Sequence, residues 1–275
     1  MKPAVALFGF LALLGTATSS AEDQGKDWTT VSLGKDPGPY STKAWKADWP
    51  GCKYEDGVAE GRFSIVEADG APWLRAIYPE GSVGPEKGGG GWRYPLPGVP
   101  ADNPVAELQY TVVFEEGFDF VKGGKLPGLC GGPKTITGGD HVNGKEGWSA
   151  RVMWRKDGRG QAYVYHMNQP EKYGDEFDFP KEKNFRFQPG VPATIRFRVA
   201  MNTSGQRDGT LSIWVNNDLL VDRHDMEWRA VPEIGVDSLL FNTFHGGNGP
   251  EWAPTRDCHA RFTAFQWRVG ADRAR

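Results

Sequence analysis

The sequence predicts an all-β fold, a single-domain antiparallel β-sandwich of jelly-roll type. Three observations carry that expectation. Gly 37 and Pro 20 among 275 residues make a turn-rich chain, a composition that favours many short strands over long helices. A hydrophobic content of 39%, with 11 Trp and 15 Phe, supplies ample surface to bury and excludes a disordered chain. Apolar and polar residues alternate with a period of two in segment after segment, and no heptad, helical period or internal repeat competes with them.

From the N-terminus, Lys2, the apolar run Ala4 to Leu14 and the small residues Ser19-Ser20-Ala21 read as a secretory signal over residues 1–21. The mature chain, residues 22–275, is expected to form one domain in a secreted protein, extracellular or periplasmic. No other apolar run is long enough for a transmembrane helix. Export implies an oxidising compartment, where Cys52, Cys130 and Cys258 permit one disulfide. Any pairing remains open; Cys52 with Cys258 is preferred, because terminal strands often neighbour each other in sandwiches.

The strands follow in order. Phe63 to Val66 and Trp73 to Tyr78 read as strands, then Lys87-Gly88-Gly89-Gly90-Gly91 as a flexible loop between strands. Leu108, Tyr110, Val112 and Phe114 alternate with Glu107, Gln109 and Thr111. Ile195, Phe197, Val199 and Met201 alternate with Thr194, Arg196 and Arg198. Leu211, Ile213 and Val215 precede the turn Asn216-Asn217-Asp218 and a short strand Leu219-Leu220-Val221. Leu239 to Phe244 and Arg261 to Val269 complete the set.

Charge narrows the ligand class. The net charge of -3 argues against a nucleic-acid binder. Residues 122–165 nevertheless hold eight Lys/Arg against three Asp/Glu, while residues 22–121 hold nine against 17. A basic segment inside an acidic chain suits an anionic ligand met at one place, or a solvated face balancing acidic neighbours.

Within that basic segment, Trp148, Ala150, Val152 and Trp154 alternate with Ser149, Arg151, Met153 and Arg155. A period of two places the first set on a buried face and the second on an open one. Lys156-Asp157-Gly158-Arg159-Gly160 supplies a tight turn. The return strand places Ala162 and Val164 inward and Tyr163 and Tyr165 on the other side. Pairing about Gly158 sets Arg151 opposite Tyr165, and any register that keeps the apolar faces together puts Arg151 beside a tyrosine. Such a surface suits β-elimination beside a carboxylate. The proton next to a uronate carboxylate becomes removable once that carboxylate is neutralised, and arginine does this with paired, charge-assisted hydrogen bonds. A phenol near cations can serve as base and then as acid towards the leaving oxygen. Arg and Tyr also alternate on many solvent-facing strands, so the residues alone do not decide the matter.

Three elements, Lys122-Gly123-Gly124-Lys125-Leu126-Pro127-Gly128-Leu129, Gly147-Trp148-Ser149-Ala150-Arg151-Val152-Met153-Trp154-Arg155 and Tyr163-Val164-Tyr165, resemble polysaccharide lyase family 14. The glucuronan lyases of family 20 share the Lys-Leu-Pro-Gly element. Phe244-His245-Gly246-Gly247, Trp252-Ala253-Pro254 and Phe262-Thr263-Ala264-Phe265 look like the family's closing strands, so the likeness covers roughly residues 105–267. It implies a jelly roll that cleaves alginate or glucuronan by β-elimination. The family's functional Lys then falls on Lys125, with Lys122 as a possible substitute, its Ser and Arg on Ser149 and Arg151, and its tyrosine pair on Tyr163 and Tyr165. In this reading Arg151 neutralises the carboxylate, the tyrosines carry protons, Lys125 adds a cation, and Ser149 bonds a sugar hydroxyl or a tyrosine. His141, Arg155 and Lys134 are candidate substrate contacts.

Other signals are weaker. Asp175-Glu176-Phe177-Asp178 is reminiscent of a glycoside-hydrolase strand, but Pro180 and Lys181 stand where a third acid belongs, so acidic loop residues are the expectation. His224, Asp225 and Glu227 lack a second cluster to complete a metal site. No cofactor is expected beyond a structural calcium on a loop. The expected partner is an acidic polysaccharide, most readily mannuronate-rich alginate, met by a monomer without nucleic acid or membrane. A non-catalytic carbohydrate-binding jelly roll is the alternative.

Overall fold

The computed structural model describes residues 27–270, and the candidate export signal at residues 1–21 lies outside the described residues. In chain order the first strands are β1 (Thr29–Thr30), β2 (Gly38–Pro39), β3 (Phe63–Ala68), β4 (Ala71–Tyr78), β5 (Gly90–Pro95), β6 (Val105–Phe114) and β7 (Gly123–Gly131). Then come β8 (Trp148–Arg155), β9 (Gly160–Tyr165), β10 (Asp175–Asp178), β11 (Ala193–Ala200), β12 (Gly209–Val215), β13 (Asp218–Met226), β14 (Ser238–His245) and β15 (Cys258–Val269). They form two antiparallel sheets. One runs β13-β12-β11-β6-β15-β4-β3-β2 with β1 on β15; the other runs β10-β9-β8-β7-β14-β5.

The period of two explains how the sheets face each other. Leu108, Tyr110 and Val112 of β6 and Ile195, Phe197 and Val199 of β11 are 0% exposed, and they share one core with Trp148, Ala150, Val152 and Trp154 of β8. Each large apolar side chain so buried contributes about 1.5–3 kcal/mol. Among the described residues a single α-helix, α1 (Thr42–Asp48), is started by the Ser41 hydroxyl, which accepts from the Ala44 N–H. It brings Trp45 and Trp49 edge-on to Trp92, which itself stacks on Phe241 with ring centres 4.1 Å apart.

Several expectations need correction. The glycine tract is not a flexible loop: Gly90 and Gly91 open β5, and Gly88 to Gly91 are buried. A Cβ at Gly89 would meet the Thr243 carbonyl oxygen at 1.9 Å, and one at Gly90 the Asp56 oxygen at 1.9 Å. Glycine here permits close backbone packing. The short strand after Asn216-Asn217 runs on to Met226 as β13. The acidic run Asp175 to Asp178 is the edge strand β10, paired with β9, and not a loop.

The Lys-Leu-Pro-Gly element lies within β7, although proline cannot donate to a ladder. Its pairing with β8 and with β14 is broken between Lys125 and Gly128, a bulge that accommodates Pro127 and re-aims the neighbouring side chains. The preferred disulfide is absent too, since Cys52, Cys130 and Cys258 are all free. Cys52 follows α1, whereas the Cys258 sulfur accepts from the Asp119 N–H at 3.2 Å. Thiol titration of the denatured protein should therefore find every cysteine reduced, and reductant should leave the denaturation midpoint unchanged. A drop in that midpoint on adding reductant would contradict the structure.

Candidate active site

Strands β7, β8 and β9 lie side by side in the six-stranded sheet, with β14 on the far side of β7. Because Trp148, Ala150, Val152 and Trp154 point into the core, Ser149, Arg151, Met153 and Arg155 take the opposite face. Arg151 pairs with Tyr163 and Ser149 with Tyr165, where a turn about Gly158 would have set Arg151 against Tyr165. The turn centres instead on Asp157, which adopts a left-handed φ of 59°. The resulting shift of two residues leaves every side chain on its expected side of the sheet, but that side is covered and not open: Ser149, Arg151, Met153, Tyr163 and Tyr165 are all buried.

The four expected side chains converge. The Lys125 ammonium lies 4.2 Å from the centre of the Tyr163 ring and 3.3 Å from the Met153 sulfur. The Arg151 guanidinium sits 5.6 Å from the Tyr163 ring centre and 5.9 Å from that of Tyr165, and the two rings meet edge to face at 5.7 Å. Residues 132–147 fold over this group, and Ile136 and Val142 form a small apolar cluster with Met153, Tyr163 and Tyr165, separate from the main core. Ser149 is tied to that covering segment, its hydroxyl donating to the Ile136 carbonyl at 2.7 Å.

Backbone amides are aimed at both phenols. Gly139 N–H donates to the Tyr165 hydroxyl at 2.9 Å, and Gly174 N–H to the Tyr163 hydroxyl at 3.2 Å. The sequence held no signal for these donors, because an amide has no side-chain signature.

Arg151 is 0% exposed. Its Nη1 donates to Asn242 Oδ1 at 3.1 Å, while Nε and Nη2 have no hydrogen-bond partner among the described residues. Leaving an ion buried and unpaired costs several kcal/mol. Burial lowers the basicity of the guanidinium, yet arginine remains protonated in proteins. Burial, joined by the charges of Arg151 and Arg155, holds the Lys125 ammonium well below its usual value. For Tyr163, burial and the neighbouring Tyr165 push the phenol up, against the pull of Arg151. The result is a buried cationic cluster with unsatisfied donors, of a kind suited to a carboxylate flanked by proton-transfer groups.

Asn242 escaped the sequence reading. The alternation Ser238, Leu240, Asn242, Phe244 along β14 does place it on this face, but only the folded sheet brings it to Arg151. A Cβ on the adjacent Gly91 would lie 2.2 Å from Asn242 Nδ2, so the glycine makes room for this amide.

The remaining candidates stand outside the cluster. Arg155 pairs with Glu176 and lies 5.9 Å from the Trp252 ring centre. Lys122 pairs with Glu251 at 3.2 Å beside the same indole, which leaves Lys125 as the lysine of the cluster. Lys134 bonds Asp140 at 2.8 Å within the covering segment. His141 is exposed there, and its side chain makes no hydrogen bond among the described residues. In β10, Glu176 is taken by Arg155, and Asp175 holds His166 at 3.1 Å, so no carboxylate pair stands ready for hydrolysis. Among the described residues no group of acidic, His and Cys side chains could hold a metal ion, and no helix is long and apolar enough to cross a membrane.

Comparison with known proteins bears on the fold and the family. No curated protein matches the sequence. An alginate lyase from Aplysia kurodai superposes with a TM-score of 0.76 at 27% identity, over 88% of this chain and 99% of that one. An alginate lyase from a Chlorella virus gives 0.67 at 25% identity, over 79% and 92%. An endo-β-1,4-glucuronan lyase from the fungus Trichoderma reesei shares the fold, with a TM-score of 0.54 at 10% identity over 91% and 100%. The model of the family described as Polysaccharide lyase 14 matches residues 66–265, a span that takes in Lys125, Arg151, Asn242 and both tyrosines. The chain therefore belongs to polysaccharide lyase family 14.

Proposed function

We propose that this protein cleaves alginate, preferentially its mannuronate-rich stretches, by β-elimination outside the cytoplasm. The observation that carries the reading is Arg151, a buried guanidinium with two unused donors, set against two phenols and a lysine. The alginate lyases of like structure support the substrate class. The basic, apolar and small-residue run at the N-terminus supports export, and the chain acts as a monomer.

The sugar carboxylate docks on Arg151 Nε and Nη2, beside Asn242. Its charge is offset, so the negative charge that develops as the C5 proton leaves is spread into a neutralised carboxylate. Tyr165, with the Gly139 amide at its oxygen and Arg151 nearby, takes that proton as phenolate. The electron pair of the C5–H bond becomes the C4–C5 double bond, and the bond from C4 to the glycosidic oxygen breaks. Tyr163, whose phenol is held protonated by burial, delivers a proton to the departing oxygen. The adjoining hydroxyls then pass a proton from Tyr165 back to Tyr163. Both transfers occur on one face of the ring. That suits mannuronate, in which the C5 hydrogen and the C4 oxygen lie on the same side. Lys125, whose ammonium lies over the Tyr163 ring, supplies a second cation towards the carboxylate.

Incubation with polymannuronate should generate the ultraviolet absorbance of an unsaturated uronate, with slower turnover of polyguluronate. Cleavage without that chromophore would exclude elimination, and equal rates would exclude the stated preference. Arg151→Ala and Tyr165→Phe should each lower kcat by at least ~100-fold with an unchanged circular dichroism spectrum; full activity in both would dismantle the assignment.

Lys125 makes a further prediction through linkage. Its folded-state pKa lies below the unfolded value near 10.5, so between the two the native state binds fewer protons than the unfolded chain. Stability contributed at this position therefore rises with pH across that window. The denaturation free energy of the wild type minus that of Lys125→Met should grow as pH rises towards the free-lysine value near 10.5. A difference independent of pH would show that the ammonium is not perturbed.

A further inference from the structure

Beside the reactive cluster the same sheet face carries a cavity of about 370 Å³, lined by Lys53, Tyr54, Arg93, Thr135 and Ser238 among others. Its size falls at the lower end of the range for small-ligand sites. Two cross-strand rows join it to the cluster. Arg93 pairs with Leu240, Leu240 with Gly128, and Gly128 with Arg151. Ser238 pairs with Cys130, Cys130 with Ser149, and Ser149 with Tyr165. Paired residues share a face, so the cavity floor lies three strand spacings, about 14 Å, from Arg151.

Its walls suit a charged sugar. The Arg93 guanidinium is occupied, donating to Asp237 at 2.7 Å and to Ser238 at 2.9 Å. Lys53 is exposed and forms no ion pair among the described residues, so it is the cation available to a ligand. Tyr54 is 44% exposed. Its hydroxyl lies beside Thr135 of the segment that covers the tyrosines, and it is near enough to bear on the charge of Arg151. A ring at the rim and a single free ammonium are what a pyranose carrying one carboxylate requires.

The geometry points to this cavity as a binding site for a second uronate of the polymer, with Tyr54 stacking on the sugar ring and Lys53 pairing with its carboxylate. The inference rests on the lyase reading of the reactive cluster. It places the polymer across the strands, its reacting sugar over β8 and β9 and a unit further along the chain over β14 and β5. Neither residue touches the reacting atoms, so both act through substrate position.

The test compares wild type, Tyr54→Ala and Lys53→Ala on polymannuronate and on mannuronate oligosaccharides of graded length. Each variant should raise KM for the polymer by about tenfold with kcat held, and should match the wild type on the shortest oligosaccharide that is cleaved. Equal losses at every length, or no loss, would overturn the proposal. Calorimetric titration with a mannuronate oligosaccharide separates this inference from the lyase reading. Weaker binding by Tyr54→Ala supports the cavity even if no unsaturated product forms, and unchanged binding overturns it whatever the wild type does to the polymer.

Discussion

Arg151 carries a positive charge into a place with no exposed surface, and its one protein hydrogen bond among the described residues goes to the neutral amide of Asn242. Electrostatics alone would expel such a group, because desolvation of an unpaired ion costs several kcal/mol. It stays because the strand that carries it is held by Trp148, Ala150, Val152 and Trp154 on the opposite face, each 0% exposed. The hydrophobic term of four core side chains outweighs the penalty at one site. The strand thereby holds in place a charge with two donors that have no partner among the described residues.

Other features follow from keeping that charge unpaired yet ordered. Glu176, on the neighbouring edge strand, is held by Arg155 and so does not quench Arg151. Residues 132–147 pack Ile136 and Val142 onto the phenols, which are buried, and burial strengthens the electrostatic interactions beneath them. The same segment supplies an amide to Tyr165 and a carbonyl to Ser149. Its ordering thus sets the hydrogen bonds of Tyr165 and Ser149 and the dielectric around them together. The bulge at Pro127 brings in the lysine from a third strand.

Much of the fold was legible because alternation survives in the sequence wherever one sheet face is buried, as in β6, β11 and β12. The facing of Arg151, Tyr163 and Tyr165 was legible for the same reason, even though the register differed by two residues. Turn geometry at Asp157 decides register, and a non-glycine residue in the left-handed region left no plain signal there. The strand β5 was hidden because glycine serves flexible loops and tightly packed strands alike, and only the neighbouring carbonyls tell them apart. Asn242 and the amides of Gly139 and Gly174 were invisible for a further reason. Their role depends on what lies opposite them in space, a matter of distant segments.

On β8, the residues that hold the two sheets together and the residues that line the cationic cluster differ in nothing but parity. Positions 148, 150, 152 and 154 pack between the sheets, and positions 149, 151 and 153 meet the covering segment, Asn242 and Lys125. A change on the odd series therefore alters the cluster while the even series keeps the sheets together. A single ribbon of backbone serves two separate packings.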